Sequence, residues 1–192
     1  MTSSAERVPG TAGSHRMPWI WGATPAEDAA RYPCDELAGS GDLRLLRAVS
    51  VAAPAETVWA WLGNLRVAPY SYDWLDNLGR RSPRALRTGL PPLQPGQRIM
   101  TIFTAEHVAP GSDLSIYLHD GPGLRLFGQV RVTYAVRPEG EGSRLIAVLR
   151  LAAGGGALSS ARRLGLAWGD LLMMRKQLYT LRDLAEGRHD RP

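Results

Sequence analysis

Five polar side chains stand out against an apolar pattern: Tyr72, Asp73, Asp76, Tyr134 and Arg175. A carboxylate, a phenol and a guanidinium around one apolar cavity would suit removal of an acidic C–H proton and stabilisation of the resulting enolate, as in a ring closure or dehydration. Asp73 or Asp76 would be the base, with Arg175 and Tyr134 as stabilisers. A plainer reading competes with this one. In it, Asp73 complements a helix N-terminus, Asp76 pairs with Arg80 four residues on, and Arg175 meets a carboxylate or reaches past the sheet edge. Other chemistries lack their residues. The one lysine, Lys176, sits in a helical pattern and not in a P-loop, and neither a nucleophile elbow nor a dinucleotide fingerprint occurs. His15, His107, His119 and His189 are too scattered for a metal set, so neither metal nor cofactor is expected.

The element that must position Arg175 is the stretch 161–187. At about 100° per residue, Leu164, Ala167, Trp168, Leu171, Leu172, Met174, Leu178, Tyr179, Leu181 and Ala185 share one half of a helical cylinder. This predicts a long core-facing helix that stops at Gly187, with Ser159 or Ser160 as N-cap. Arg175 projects into the middle of that face, where a packed core has no use for a lone charge.

Upstream, residues 1–17 are small and polar and are expected to form a flexible tail, and 188–192 a second one. Residues 18–42 form an extension carrying Trp19 and Trp21. There Thr24 and Glu27 bracket a capping box, with Pro25 at the first helical position and Pro33 as the stop. A first strand is predicted over 43–52. Pro54 then opens a short helix with Val58, Trp59 and Leu62, and Ser71 caps a second over 71–79. After a loop over 84–97, strands are expected at 98–107 and 113–119. A longer run over 124–137 bends at Gly128, and a hairpin turn at 139–142 leads to a return strand carrying Leu145, Ala147, Leu149 and Leu151. Helices segregated from antiparallel strands predict an α+β fold, a curved sheet closing on one long C-terminal helix.

Composition bounds the function. Of 192 residues 44% are hydrophobic, enough for a single core. The net charge of +5 comes from 23 basic residues, all but one of them Arg and scattered along the chain. Solvated strand faces in a protein from a GC-rich genome account for them better than a nucleic-acid groove, and only Arg80, Arg81, Arg84 and Arg87 cluster. Cys34 is the only cysteine, so no intrachain disulfide forms, and its expected role is that of a buried small hydrophobe. No signal segment or membrane span is legible, which makes the cytoplasm the default location.

The segment 53–62, Ala-Pro-Ala-Glu-Thr-Val-Trp-Ala-Trp-Leu, together with 68–77, Ala-Pro-Tyr-Ser-Tyr-Asp-Trp-Leu-Asp-Asn, and the closing Met174-Arg175-Lys176-Gln177-Leu178, resembles the START-like, or SRPBCC, superfamily in its polyketide cyclase/dehydrase-like branch, and within that a bacterial subset. The resemblance covers 43–187. It implies a helix-grip fold with two short helices after the first strand. It also implies a cavity between sheet and last helix for a lipid- or polyketide-like ligand. Tyr72, Trp74, Tyr134, Trp168, Leu171 and Arg175 are then the ligand-binding candidates, and Asp73, Asp76 and Arg175 the catalytic ones. The expected partner is a small apolar or amphipathic molecule, not nucleic acid or an integral membrane site. Cyclase/dehydratase activity, a protein-interaction module and a homodimer remain alternatives.

Overall fold

A computed structural model describes residues 14–39, 41–71, 82–87, 89–100, 102–119, 124, 128–152 and 159–188. The described strands are β1 (Ser14–Arg16), β2 (Ile20–Ala23), β3 (Leu43–Val51), β4 (Arg98–Ile99), β5 (Phe103–Ala109), β6 (Asp113–Leu118), β7 (Val130–Glu139) and β8 (Gly142–Leu151). They form one sheet in the order β1-β2-β3-β8-β7-β6-β5-β4. Every pairing is antiparallel except β2 with β3, whose parallel register places Ile20 beside Leu46 and Trp21 beside Arg47. A parallel pair needs a crossover, and residues 24–42 supply it with two short helices, α1 (Pro25–Ala29) and α2 (Pro33–Glu36). The Thr24 capping box forms as expected, but Pro33 opens a second helix where the sequence pattern marked only a stop. Nothing in that pattern announced β1.

The extension covers the outer face of the sheet. Ile20, Ala23, Tyr32 and Cys34 pack on Leu46, Ala48, Ala135, Ile146 and Val148. Arg144 donates to both carboxylate oxygens of Glu27, at 2.7 and 3.0 Å, and Arg44 reaches Asp28 and Asp35. Cys34 is buried, as its composition reading required; its amide donates to Thr133 Oγ1 at 3.0 Å, and Thr133 shares a 2.7 Å hydrogen bond with Ser115.

The inner face is built by the opposite phase of the same strands. Leu45, Val49, Leu145, Leu149, Val132 and Leu114 meet α3 (Ala55–Gly63) and the long α4 (Ser159–Ala185). The strand and Pro-led helix expected at 43–62 are in place. The second helix expected at 71–79 lies outside the described residues. The strand expected over 98–107 is instead a tight hairpin of β4 and β5, because Met100 takes a φ of 48° and its amide donates to the Leu65 carbonyl at 2.9 Å. Of the long alternating run, the described strand is β7 from Val130, with Gly128 at φ 74°, and 125–127 lie outside the described residues. The hairpin between β7 and β8 turns at Gly140, φ 57°, as its residues predict.

The face of α4 is corrected by the structure. Ala167, Leu171, Met174, Leu178 and Leu181 are buried as expected, each Leu worth about 1.5–3 kcal/mol. Leu164, Trp168 and Leu172 are not; they are 45%, 44% and 56% exposed. Gln177 and Leu184 take the buried positions instead, a rotation of about 70° from the expected stripe. That rotation turns the Arg175 charge outward and admits Gln177, a neutral amide that can be satisfied by hydrogen bonds.

Replacing Thr133 with Val removes the acceptor of the buried Cys34 amide. Thr133→Val should cost about 1–3 kcal/mol in a urea titration, with the secondary structure preserved.

Candidate functional site

The interior under α4 is not wholly apolar. Across the sheet the register aligns Trp21, Arg47, Ala147, Tyr134 and Leu114 in one row. Arg47 shares the inward phase of Leu45 and Val49, and it has no exposed surface. Small Ala147 separates it from Tyr134, which is 1% exposed. The helix answers with Asp170 above Arg47 and Gln177 above Tyr134.

Arg47 Nη2 donates to Asp170 Oδ2 at 2.9 Å and to the Ala167 carbonyl at 3.4 Å. Its Nη1 donates to the carbonyls of Trp19, at 2.8 Å, and Leu46, at 3.1 Å. Its Nε is buried with no acceptor among the described residues. Burial pushes the Asp170 carboxyl up to about 6, against the opposing pull of Arg47. The Tyr134 hydroxyl donates to Gln177 Oε1 at 2.7 Å, and burial, with the Asp170 charge adding to it, raises the phenol well above its usual range. Gln177 Nε2 donates in turn to the Pro69 carbonyl at 2.6 Å and to Met100 Sδ at 3.4 Å. One amide therefore ties the sheet to the loop that follows α3.

That loop borders an open cleft of about 290 Å³ between it and the C-terminal half of α4, lined by Tyr70, Ser71, Ser82, Arg84, Lys176 and Thr180 among others. Tyr70 stands at its inner wall, 1% exposed, with its ring edge-on to Trp61 at 5.9 Å. Tyr70, Pro69, Gln177 and Tyr134 thus lead from the cleft toward the middle of the sheet, where Ala147 separates them from the Arg47–Asp170 pair.

Of the candidates named from sequence, Tyr72, Asp73, Trp74 and Asp76 lie outside the described residues. Tyr134 and Leu171 are in the interior. Trp168 and Arg175 face outward, and Arg175 is exposed, with its guanidinium 5.5 Å from the Trp21 ring and 5.6 Å from that of Tyr179. It reaches past the packed face as the plainer reading had it, with aromatic rings in place of a carboxylate. The interior charge is Arg47, which sequence reasoning passed over. Its signal was present: an Arg in the inward phase of β3, and a single acid, Asp170, in the first 22 residues of the helical stretch from 161. Among the described residues no group of three or more His, Cys, Asp or Glu is placed to hold a metal.

No protein-family model and no curated protein matches the sequence. Solved structures do match the fold. A Thermobifida fusca protein solved by NMR superposes with a TM-score of 0.52 at 21% identity, over 77% of this chain and 95% of that one. The Zhui aromatase/cyclase from Streptomyces sp. R1128 gives 0.50 at 13% identity, over 76% and 94%. This is the helix-grip fold. A Nitrosomonas europaea protein gives the same score of 0.50 at 12% identity over 77% and 97%. Identities this low carry the helix-grip fold alone, and the chemistry has to come from the residues in the grip. No described helix is long and apolar enough to cross a membrane.

Replacing Asp170 with Leu leaves Arg47 buried and unpaired, and should cost about 3–5 kcal/mol. The pH dependence has a definite sign. An unfolded carboxyl titrates near 3.9 and the folded one near 6, so between these values the folded state binds more protons. Asp170 therefore makes stability fall as pH rises from about 4 to about 6, with no further change above. Urea titrations of Asp170→Asn across that window should lack this component.

Proposed function

We propose that the protein binds a small hydrophobic or amphipathic ligand, lipid- or polyketide-like, between the sheet and α4. The observation that supports this reading most is the buried polar row: a core built only for stability has little use for Arg47, Asp170, Tyr134 and Gln177 on one line under the helix. An apolar ligand would lie along Leu45, Val132, Leu114 and Leu171, and its polar end would meet the Arg47 Nε and the Tyr134 hydroxyl. The cleft beside Tyr70 is its way in, and rotation of the Tyr70 ring away from Trp61 would open the path. Leu171 would roof the bound ligand, and Tyr72 and Trp74 remain ligand-binding candidates named from the sequence.

A second reading rests on Asp170. A carboxyl titrating near 6 can act as a general base near neutrality, beside a guanidinium and a phenol able to stabilise an enolate. This is the arrangement a cyclase or dehydratase would use, and one structural neighbour is an aromatase/cyclase. Asp73 and Asp76 remain alternative bases.

The test is native mass spectrometry of the protein purified from its own host, followed by titration with the amphipathic dye 1-anilinonaphthalene-8-sulfonate. A small molecule that leaves on denaturation, or saturable one-to-one dye binding weakened at least tenfold by Tyr134→Phe/Gln177→Leu, supports the reading. A bare mass together with no saturable dye binding overturns it. For the second reading, Asp170→Asn should abolish turnover of a polyketone substrate while the same dye still binds.

A further inference from the structure

We propose that the outward face of α4 docks on an anionic lipid bilayer. Leu164, Trp168 and Leu172 are 45%, 44% and 56% exposed and follow one another at intervals of four residues. On a helix that spacing makes one line about 12 Å long. A single exposed Leu is ordinary, but three large apolar side chains in line make a contiguous patch. Gly165 and Gly169 lie beside them, and a Cβ at either would meet nothing within 4 Å. The apolar side chains therefore stand clear of the backbone around them, and the helix can approach a flat surface closely. Glycine is otherwise a poor residue for a helix interior.

The charge on this face decides the occupant. Arg175 and Lys176 are exposed along it, and Arg182 is half-buried. Arg182 and Arg175 continue the apolar line, their guanidinium groups over the Tyr179 ring, with Trp21 behind. Asp170 is turned beneath the helix to Arg47, and Asp183 pairs with Arg182 at 2.8 Å, so the cations this face turns outward are Arg175 and Lys176. Leu and Trp flanked by Arg175 and Lys176 is the composition of a helix lying in a bilayer interface. A second copy of the chain is disfavoured, because a two-fold contact would set these cations against themselves. Acidic headgroups would neutralise them while the Leu and Trp side chains enter the acyl boundary. This inference does not rest on the ligand reading, since the side chains that would meet the bilayer, Leu164, Trp168, Leu172, Arg175 and Lys176, are exposed on the outward side of α4.

The full chain would be sedimented with vesicles of phosphatidylcholine and of phosphatidylcholine mixed with phosphatidylglycerol. Uptake is expected on the anionic vesicles only, and it should fall as salt is raised. Trp168→Ala/Leu172→Ala should weaken it at least tenfold and Arg175→Glu at least threefold, with thermal unfolding of the first pair unchanged. No uptake by anionic vesicles at low salt overturns the proposal. So does uptake that is indifferent to Trp168→Ala/Leu172→Ala. A concentration-dependent dimer that this pair abolishes, without vesicle binding, overturns it in favour of a contact between copies.

Discussion

Arg47 has no exposed surface, and a guanidinium without water must be held by whatever packs around it. Here the acceptors come from three parts of the chain: the Trp19 carbonyl of the extension, the Leu46 carbonyl of β3, and Asp170 with the Ala167 carbonyl of α4. Each of these parts has to be in register for the charge to be tolerated. The parallel docking of β2 on β3, the rotation of α4 and the depth at which it sits on the sheet all meet at this one side chain. Gln177 repeats the device two strands along the same row, joining Tyr134 to Pro69 and so fixing the start of the loop that borders the cleft.

Buried ion pairs are weak stabilisers, because the desolvation of two charges offsets their attraction. The elevated Asp170 carboxyl reflects that penalty directly. Apolar side chains of similar volume would fill the same space at no such cost, as Leu45 and Val49 do on either side of Arg47 in the same phase of β3. The polar row is therefore better understood as specificity held inside a fold whose stability comes from elsewhere, namely the two apolar faces of the sheet.

Much of the fold was legible because it rests on strong local signals. The alternation in β6, β7 and β8, the Gly140 turn, the Thr24 capping box and the Pro-led α3 all act over a few residues. The site was harder to see for physical reasons. α4 carries apolar residues around more than half its circumference, so periodicity alone could not choose between a stripe centred near Trp168 and one rotated toward Gln177. What chose was the sheet, where Arg47 calls for an acid and Tyr134 for an amide. Arg175 had two readings, and what its spacing could not supply was its partners: a guanidinium on a helix flank finds aromatic rings, Trp21 and Tyr179, that sequence spacing does not bring together. The parallel strand β2 was equally out of reach, since its partner lies more than twenty residues on.

The central claim is that Arg47 and Asp170 are kept for what they do in the grip and not for stability. The most direct test removes both. In Arg47→Met/Asp170→Leu the interior charges disappear together, and the account predicts a urea midpoint at or above that of the parent with binding of an amphipathic probe lost. A double variant less stable by about 3 kcal/mol or more that still binds the probe would make the pair a structural fixture and contradict the account.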